Sequence, residues 1–230
     1  MFGRRKKANP HRAQKESEAL RGTPVDPHAG GRAEIARPQG PWDVADVDLE
    51  ESGGKAANRV DLGGLIVTGA PGLEMRLQVD EQTQTVAAVM LVAEDGAVEL
   101  RAFAAPRTES IWAEVRREIG AEATRRGGTA TEEEGDFGPE VKLVVPVTST
   151  EGKQGAQVSR VVGVSAPRWL LRGTFLGRPA AEPDAGGLLE QAFRQVIVRR
   201  GDAPMAPRAA IPLRMPPDAQ QSGTAPTPSA

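Results

Sequence analysis

Three arginines have the residue type and the setting to bind an anion. Arg107 and Arg168 each follow an Ala-Pro pair at the end of a predicted strand, and Arg172 lies four residues after Arg168. Because even offsets along a strand share one face, Arg168 and Arg172 are expected side by side, with Trp169 on the opposite face. Guanidinium groups match the geometry of carboxylate and phosphate. The sequence therefore offers a candidate site for a small anion or an acidic peptide.

The same arginines have a structural alternative. Residues 41–202 carry 26 acidic and 18 basic side chains, so carboxylates that can pair with arginine are abundant. Asp136 and Glu140 are two such partners. The sequence leaves open whether the three arginines bind a ligand or stabilise the domain through ion pairs.

Most of the usual catalytic groups are missing from residues 41–202. The chain has no cysteine and no tyrosine, and both histidines, His11 and His28, precede this segment. A thiol nucleophile, a Ser-His-Asp triad and a zinc site of cysteine and histidine are therefore excluded there. General acid–base chemistry would need a carboxylate or lysine with a strongly shifted pKa. The sequence favours binding over catalysis, keeps a carboxylate- and arginine-based enzyme as the alternative, and predicts no cofactor.

One acidic run resembles a set of metal ligands. Residues 132–134 are three consecutive glutamates, and Asp136 follows them. Carboxylate oxygens suit calcium, but the spacing lacks the later bidentate glutamate of an EF-hand. The run is better interpreted as a solvated edge of the domain, and the sequence predicts no metal site.

The N-terminal segment is basic, in contrast to the acidic body. Residues 1–40 have a net charge of +5, and the cluster begins with Arg4, Arg5, Lys6 and Lys7. Such a cluster can contact nucleic acid or an anionic surface by releasing counterions. The alternative is a solubilising arm. Contact with nucleic acid is thus a third functional hypothesis, limited to this arm.

The elements that must position these residues are mainly strands. Alternating apolar and polar residues, separated by short turns, predict four strands before residue 105 and three between residues 141 and 176, and residues 129–133 add an edge strand. A helix with Thr108 as its N-cap is predicted between these two groups. Its apolar residues follow helical spacing: Ile111, Trp112, Val115, Ile119 and Ala123. A second helix is predicted over residues 184–196.

This element order predicts an α+β domain. We expect a single antiparallel sheet of about six to eight strands with two main helices packed on it. The domain is expected to span residues 41–216, with its core at about 60–200, between a disordered basic arm at 1–40 and a disordered Pro/Ala-rich tail at 217–230. No stretch is apolar enough to span a bilayer, no signal-peptide core follows the basic start, and cysteine is absent. Together these features predict a cytoplasmic protein.

Several short segments carry a family resemblance. They are Ala-Pro-Arg at 105–107, Phe-Gly at 137–138, Pro-Arg-Trp-Leu-Leu-Arg-Gly at 167–173 and Arg-Arg-Gly-Asp-Ala-Pro-Met at 199–205. Over about residues 41–216 the chain resembles an actinobacterial family of uncharacterised proteins, known only as a domain of unknown function. The resemblance implies no assigned activity and no functional residue. The element order is also similar to that of the Mog1/PsbP-like sandwich, which is an analogy of architecture alone.

The function that the sequence favours is a non-catalytic binding or adaptor module that engages a protein partner. The missing histidine, cysteine and tyrosine carry this preference. The residue pattern specifies neither the partner nor the oligomeric state.

Overall fold

The computed structural model describes residues 40–49, 58–80, 85–148 and 152–216. The predicted basic cluster at Arg4, Arg5, Lys6 and Lys7 lies outside these residues, as do nearly all of the predicted arm and the predicted tail beyond residue 216.

The larger sheet has seven strands and is antiparallel throughout. In spatial order it runs β4-β5-β6-β10-β9-β8-β7, so β10 joins the two strand groups of the sequence by pairing with β6. The strands are β4 (Glu74–Asp80), β5 (Thr85–Ala93), β6 (Gly96–Ala104), β7 (Thr129–Gly135), β8 (Gly138–Thr148), β9 (Gln154–Ala166) and β10 (Trp169–Gly177). This sheet confirms the antiparallel α+β prediction at the level of fold class.

A second sheet makes the prediction of a single sheet wrong. Its order is β1-β11-β3-β2, from β1 (Trp42–Asp43), β11 (Ile197–Val198), β3 (Leu65–Thr68) and β2 (Arg59–Asp61). β1 pairs with β11 in parallel, and β11 pairs with β3 in antiparallel register. The sequence groups β3 with the other strands predicted before residue 105. In the structure β3 pairs with β2 on one side and with β11, from the far end of the chain, on the other, and local periodicity cannot show the second pairing.

Three helices occur among the described residues: α1 (Trp112–Arg125), α2 (Arg178–Ala181) and α3 (Leu188–Arg194). The predicted first helix is confirmed, but Thr108 as its N-cap is wrong. The helix begins one turn later, and the backbone N–H of Trp112 donates to Ser110 Oγ at 3.2 Å. The second main helix begins at Leu188 rather than at residue 184, because Asp184 Oδ1 accepts from the N–H of Gly186 and forms a turn there.

Helices pack on both faces of the seven-stranded sheet, but different elements pack on each face. On one face α1 packs against β7, β8 and β9 over Leu143, Val161 and Leu170. On the other face α2, α3 and the small sheet enclose the larger core, which includes Trp169, Phe175 and Phe193. Trp169 and Leu170 are both fully buried but lie in opposite cores, as strand alternation requires. Both sides of β10 are therefore interior at its first two residues.

The segment after β11 lies extended against the domain. Leu213 bridges both Gly63 and Val86, Ala210 bridges Phe103, and Ile211 and Leu213 are buried. The last described stretch of the chain thereby links the small sheet to the large one.

Packing of α1 depends on a glycine, Gly163, beneath the first turn of the helix. A Cβ added at Gly163 in β9 would overlap the indole ring of Trp112, whereas one added at Gly155 in the same strand would meet nothing within 4 Å. We expect Gly163→Ala to lower the free energy of unfolding by about 1–3 kcal/mol through overpacking. Urea unfolding measures this effect.

Gly155→Ala is the matched control, since it makes the same chemical change in the same strand. We expect it to leave the urea midpoint within the range of ordinary surface substitutions, about 0.5 kcal/mol. Equal destabilisation by the two alanines would show that Trp112 does not pack on Gly163.

Candidate functional site

The backbone brings two of the three predicted arginines close together. The N–H of Arg168 donates to the carbonyl of Pro106 at 3.2 Å, and the carbonyl of Arg168 accepts from the N–H of Ala105 at 2.8 Å. Arg107 is the next residue and is exposed. The two Ala-Pro-Arg segments are thus neighbours at one end of β6 and β10.

The side chains of Arg168 and Arg172 have different partners. Arg168 lies in the turn before β10 with φ of 74°, so strand alternation does not apply to it. Its guanidinium lies 3.7 Å from Asp202. Arg172 does lie within the strand, where it stacks on the Phe103 ring at 5.3 Å and lies 3.8 Å from Glu99. The premise that Arg168 and Arg172 share a strand face is therefore wrong.

The acidic partners suggested as the structural alternative pair elsewhere. Asp136 lies 3.3 Å from Arg194, and Glu140 lies 3.2 Å from Arg160. Arg168 and Arg172 do lie near acids of the domain, but these acids are Asp202 and Glu99.

Arg172 belongs to a partly exposed patch on the sheet face that carries α1. The strand register places Arg76, Met90, Glu99 and Thr174 in one row across β4, β5, β6 and β10. Arg101 and Arg172 oppose each other in the adjacent row. We call these six residues the arginine face. Each of the six keeps part of its surface exposed, because α1 packs on the same face but over β7 to β9, toward the other edge of the sheet.

Arg101 and Arg172 give the arginine face more positive charge than the carboxylate between them neutralises, whereas Arg76 pairs with Glu74 at 2.9 Å. Arg101 Nε lies 2.8 Å from Glu99 Oε1, and Arg172 Nη2 lies 3.8 Å from the same oxygen. The side chain of Arg101 is 36% exposed, that of Arg172 is 23% exposed and that of Glu99 is 19% exposed. Burial lowers the pKa of Arg172, the charge of Arg101 lowers it further, and Glu99 opposes both. Two directly opposed guanidinium groups therefore share one carboxylate.

Arg101 was missed as a site residue, although its strand was predicted. The alternation of Val98, Leu100 and Ala102 already placed Glu99 and Arg101 on the opposite face. The sequence does not show that Arg101 lies opposite Arg172, because the pairing of β6 with β10 joins residues that are 71 positions apart.

A second charged cluster is fully interior. Arg160 donates from Nη1 to Glu140 at 3.2 Å, from Nη2 to Glu190 at 2.6 Å and from Nε to the carbonyl of Pro179 at 3.0 Å. Its guanidinium also lies 4.3 Å from the Phe175 ring centroid. The side chains of Arg160, Glu140 and Glu190 are 1%, 3% and 2% exposed. The sequence does not distinguish Arg160 from a surface residue, because a lone arginine in an alternating strand is usually exposed.

This cluster contains two carboxylates for one guanidinium. Burial raises the pKa of Glu140, while the charge and hydrogen bond of Arg160 act in the opposite direction. Burial is the larger cause, so the protonated form of Glu140 is favoured in the folded protein relative to an exposed glutamate. The cluster links β8, β9, α2 and α3 and is remote from solvent, which fits a structural role.

Two cavities open on the described surface. One, of about 400 Å³, is lined by Arg178 and by acids from the β5–β6 turn and the α2–α3 region, namely Glu94, Asp95, Glu182, Asp184 and Glu190. Asp95 pairs with Arg178, and Glu190 pairs with Arg160. The other, of about 440 Å³, lies over the small sheet, and we call it the Trp42–Arg59 cavity. Its lining is Trp42, Asp46, Val47, Asp48, Arg59, Thr68, Gln195 and Ile197.

The acidic run of β7 is engaged by basic neighbours. Glu132 pairs with Arg116 at 2.8 Å, and Glu133 pairs with Lys142 at 3.0 Å. Within the described part of the chain, no group of three or more histidine, cysteine, aspartate or glutamate side chains is placed to hold a metal ion.

The fold and the arginine face define an α+β protein in which a seven-stranded antiparallel sheet carries a second, smaller sheet and a partly exposed charged surface. The chain belongs to a family of proteins of unknown function, DUF3710, whose sequence model matches residues 40–222. The resemblance to an uncharacterised family is thereby confirmed. No curated protein matches the chain. Of the helices formed by the described residues, none is both long and apolar enough to cross a membrane.

The buried cluster generates a prediction about stability. Among the described residues, Arg160 is the basic side chain that hydrogen-bonds both Glu140 and Glu190, so Arg160→Met leaves two carboxylates in the interior. We expect the free energy of unfolding to fall by about 3–5 kcal/mol, which is typical for breaking a buried ion pair. Chemical denaturation measures this loss, and Arg125→Met on the exposed surface of α1 is the control.

The same cluster generates a pH prediction through Glu140. Its pKa is raised on folding, so its favourable contribution is complete below the unfolded value of about 4.3 and is lost as the pH rises through the folded value. We expect the stability of the native protein relative to Glu140→Gln to decrease as the pH rises from about 4. Thermal unfolding of both proteins across this range measures the difference. A difference that is constant, or that grows with pH, would contradict the raised pKa.

Proposed function

We propose that this protein is a non-catalytic binding module whose arginine face engages an acidic segment of a protein partner. The single observation that carries the proposal is the pair Arg101 and Arg172, which oppose each other and share Glu99. Like charges at opposed positions of a sheet are unfavourable without a counter-ion. A carboxylate of the partner supplies that counter-ion.

The shape of the surface favours an extended protein segment over a small molecule. The arginine face is part of a sheet and spreads over four adjacent strands, and neither cavity includes any of its residues. Met90 adds apolar surface between the charged side chains. A flat surface of mixed charge with an apolar component is typical of a protein interface, and arginine is enriched in such interfaces.

This proposal modifies the anion site predicted from sequence. Arg172 stays in the site, and Arg101 and Arg76 join it through the strand register. Arg168 is engaged by Asp202, and Arg107 is exposed beside it, so both lie at one end of β10 and form at most a neighbouring contact region.

The alternative class is a carboxylate- and arginine-based enzyme, and the acid-lined cavity favours it most. Several carboxylates meet there around a volume of about 400 Å³. Asp95 and Glu190 are already paired with arginines, which reduces their availability for proton transfer. Binding therefore remains the proposal that the charges support better.

Three predictions from the sequence remain proposals. They are the contact of Arg4, Arg5, Lys6 and Lys7 with nucleic acid or an anionic surface, the division into arm, domain and tail at residues 40 and 216, and the cytoplasmic location. The contrast between a +5 arm and a −8 body supports the first two, and the absence of cysteine supports the third.

The proposed function is tested with a peptide that alternates glutamate and serine over nine residues, labelled for fluorescence anisotropy. We expect the wild-type protein to bind it, and Arg101→Gln/Arg172→Gln to bind at least about tenfold more weakly. Each charged hydrogen bond contributes roughly 1.5–3 kcal/mol, and 1.4 kcal/mol corresponds to tenfold.

Two controls make this experiment specific. A peptide with lysine in place of glutamate should not bind, and Arg125→Gln, which removes an exposed arginine of α1, should leave the affinity unchanged. Equal binding of both peptides, or equal weakening by the α1 variant, would overturn the proposal.

A further inference from the structure

The larger sheet ends in β4, whose backbone is unpaired on its outer side. Among the described residues β4 pairs with β5 alone. Because inward and outward backbone groups alternate along an antiparallel strand, every second residue of β4 directs its N–H and C=O away from β5. Outside the β4–β5 ladder, no backbone hydrogen bond between described residues involves residues 74–80. The outer side of β4 is therefore a template for a further strand.

The two edges of this sheet differ in how well they suit a second copy of the chain. β7, at the other edge, carries three consecutive glutamates at residues 132–134, so two copies of β7 side by side concentrate like charge along the contact. β4 contains both signs of charge and has neither proline nor lysine, the residues that commonly protect sheet edges. It also exposes apolar surface, since Val79 is 42% exposed. β4 is thus the edge that suits self-association.

A two-fold axis at β4 allows few registers. Residues directly opposed across antiparallel strands share a face of the sheet, so the axis must pass a residue that faces its own counterpart. An axis at Arg76 would oppose two arginines, and an axis at Leu77 would oppose Glu74 to Asp80. Both of these registers bring like charges together. An axis nearer either end of β4 would pair three residues at most.

An axis at Gln78 avoids both problems and pairs five residues of β4 in each copy. It places Arg76 opposite Asp80 of the second copy, and Leu77 opposite Val79 of the second copy. Strand alternation puts the charged pair on one face and the apolar pair on the other, and symmetry repeats each pair. Arg76 and Asp80 also have interactions within their own chain, and the attraction across the strands acts alongside them.

We infer that two copies of this chain associate edge to edge through β4, with a two-fold axis at Gln78, and join their seven-stranded sheets into one. Such an isologous contact closes after two copies. The axis is perpendicular to the sheet, so the arginine faces of both copies lie on the same side. Arg101 and Arg172, which carry the proposed function, lie on β6 and β10, away from this edge. The dimer therefore does not depend on the proposed function.

Disulfide capture tests the position of the axis, because the chain contains no cysteine. We expect Gln78→Cys to form a covalent dimer when the full chain is mildly oxidised, since the Cα atoms of opposed residues lie about 4.5–5.5 Å apart, within disulfide range. Arg76→Cys, on the same face of the same strand, is the matched control. In this register its two copies lie roughly 14 Å apart, too far for a disulfide. Glu133→Cys is the control for the β7 edge.

Charge exchange tests the register by sedimentation velocity of the full chain over a concentration series. Arg76→Asp opposes two aspartates, and Asp80→Arg opposes two arginines. We expect each variant to raise the dissociation constant of the dimer at least about tenfold, because symmetry repeats each repulsion. An equal mixture of the two variants should restore association, since every charge then faces its opposite. Restoration also shows that both variants are folded.

Three results would overturn the inference. The first is a wild-type chain that sediments as a monomer at every concentration while Gln78→Cys forms no covalent dimer. The second is equal cross-linking of Gln78→Cys and either control cysteine, which would indicate random collision. The third is a mixture of Arg76→Asp and Asp80→Arg that associates as weakly as each variant alone. None of these measurements uses the acidic peptide, so each leaves the test of the proposed function separate.

Discussion

Arg160 is the residue through which β8, β9, α2 and α3 meet. It projects from β9, and its three nitrogens reach β8 through Glu140, α3 through Glu190 and α2 through the carbonyl of Pro179. Because the side chains are almost completely buried, the guanidinium must satisfy its hydrogen-bonding groups within the protein, and the observed arrangement of these elements does so. The ion pairs are weak evidence for high stability, but they specify how the elements dock.

The two faces of the seven-stranded sheet differ because helices cover them at different places. α1 packs over β7 to β9 on one face, while α2 and α3 pack on the other, where the Arg160 cluster and the Phe175–Phe193 contact lie. This offset leaves the arginine face partly exposed beside α1. The functional surface we propose is thus a consequence of the packing that buries Arg160 on the other side.

Charge distribution separates two kinds of surface on one domain. On the arginine face, two guanidinium groups share Glu99 and form a flat basic surface on an acidic body. Over the small sheet, the Trp42–Arg59 cavity is lined by Arg59, Asp46 and Asp48 and therefore contains both signs of charge. The arginine face is the surface that suits an extended acidic segment.

The sequence by itself determined the elements and excluded most catalytic chemistry. Alternation predicted the strands around Leu77, Leu100 and Leu171, helical spacing predicted α1, and the missing histidine and cysteine pointed toward binding. Tertiary structure decided the second sheet, the opposition of Arg101 to Arg172, the burial of Arg160 and the edge position of β4. The physical reason is that periodicity reports which face of a strand is apolar, whereas strand order and register depend on partners distant in the chain. An arginine on the polar face of a strand therefore gives the same sequence pattern whether its neighbour in the folded protein is solvent, a glutamate or a second arginine.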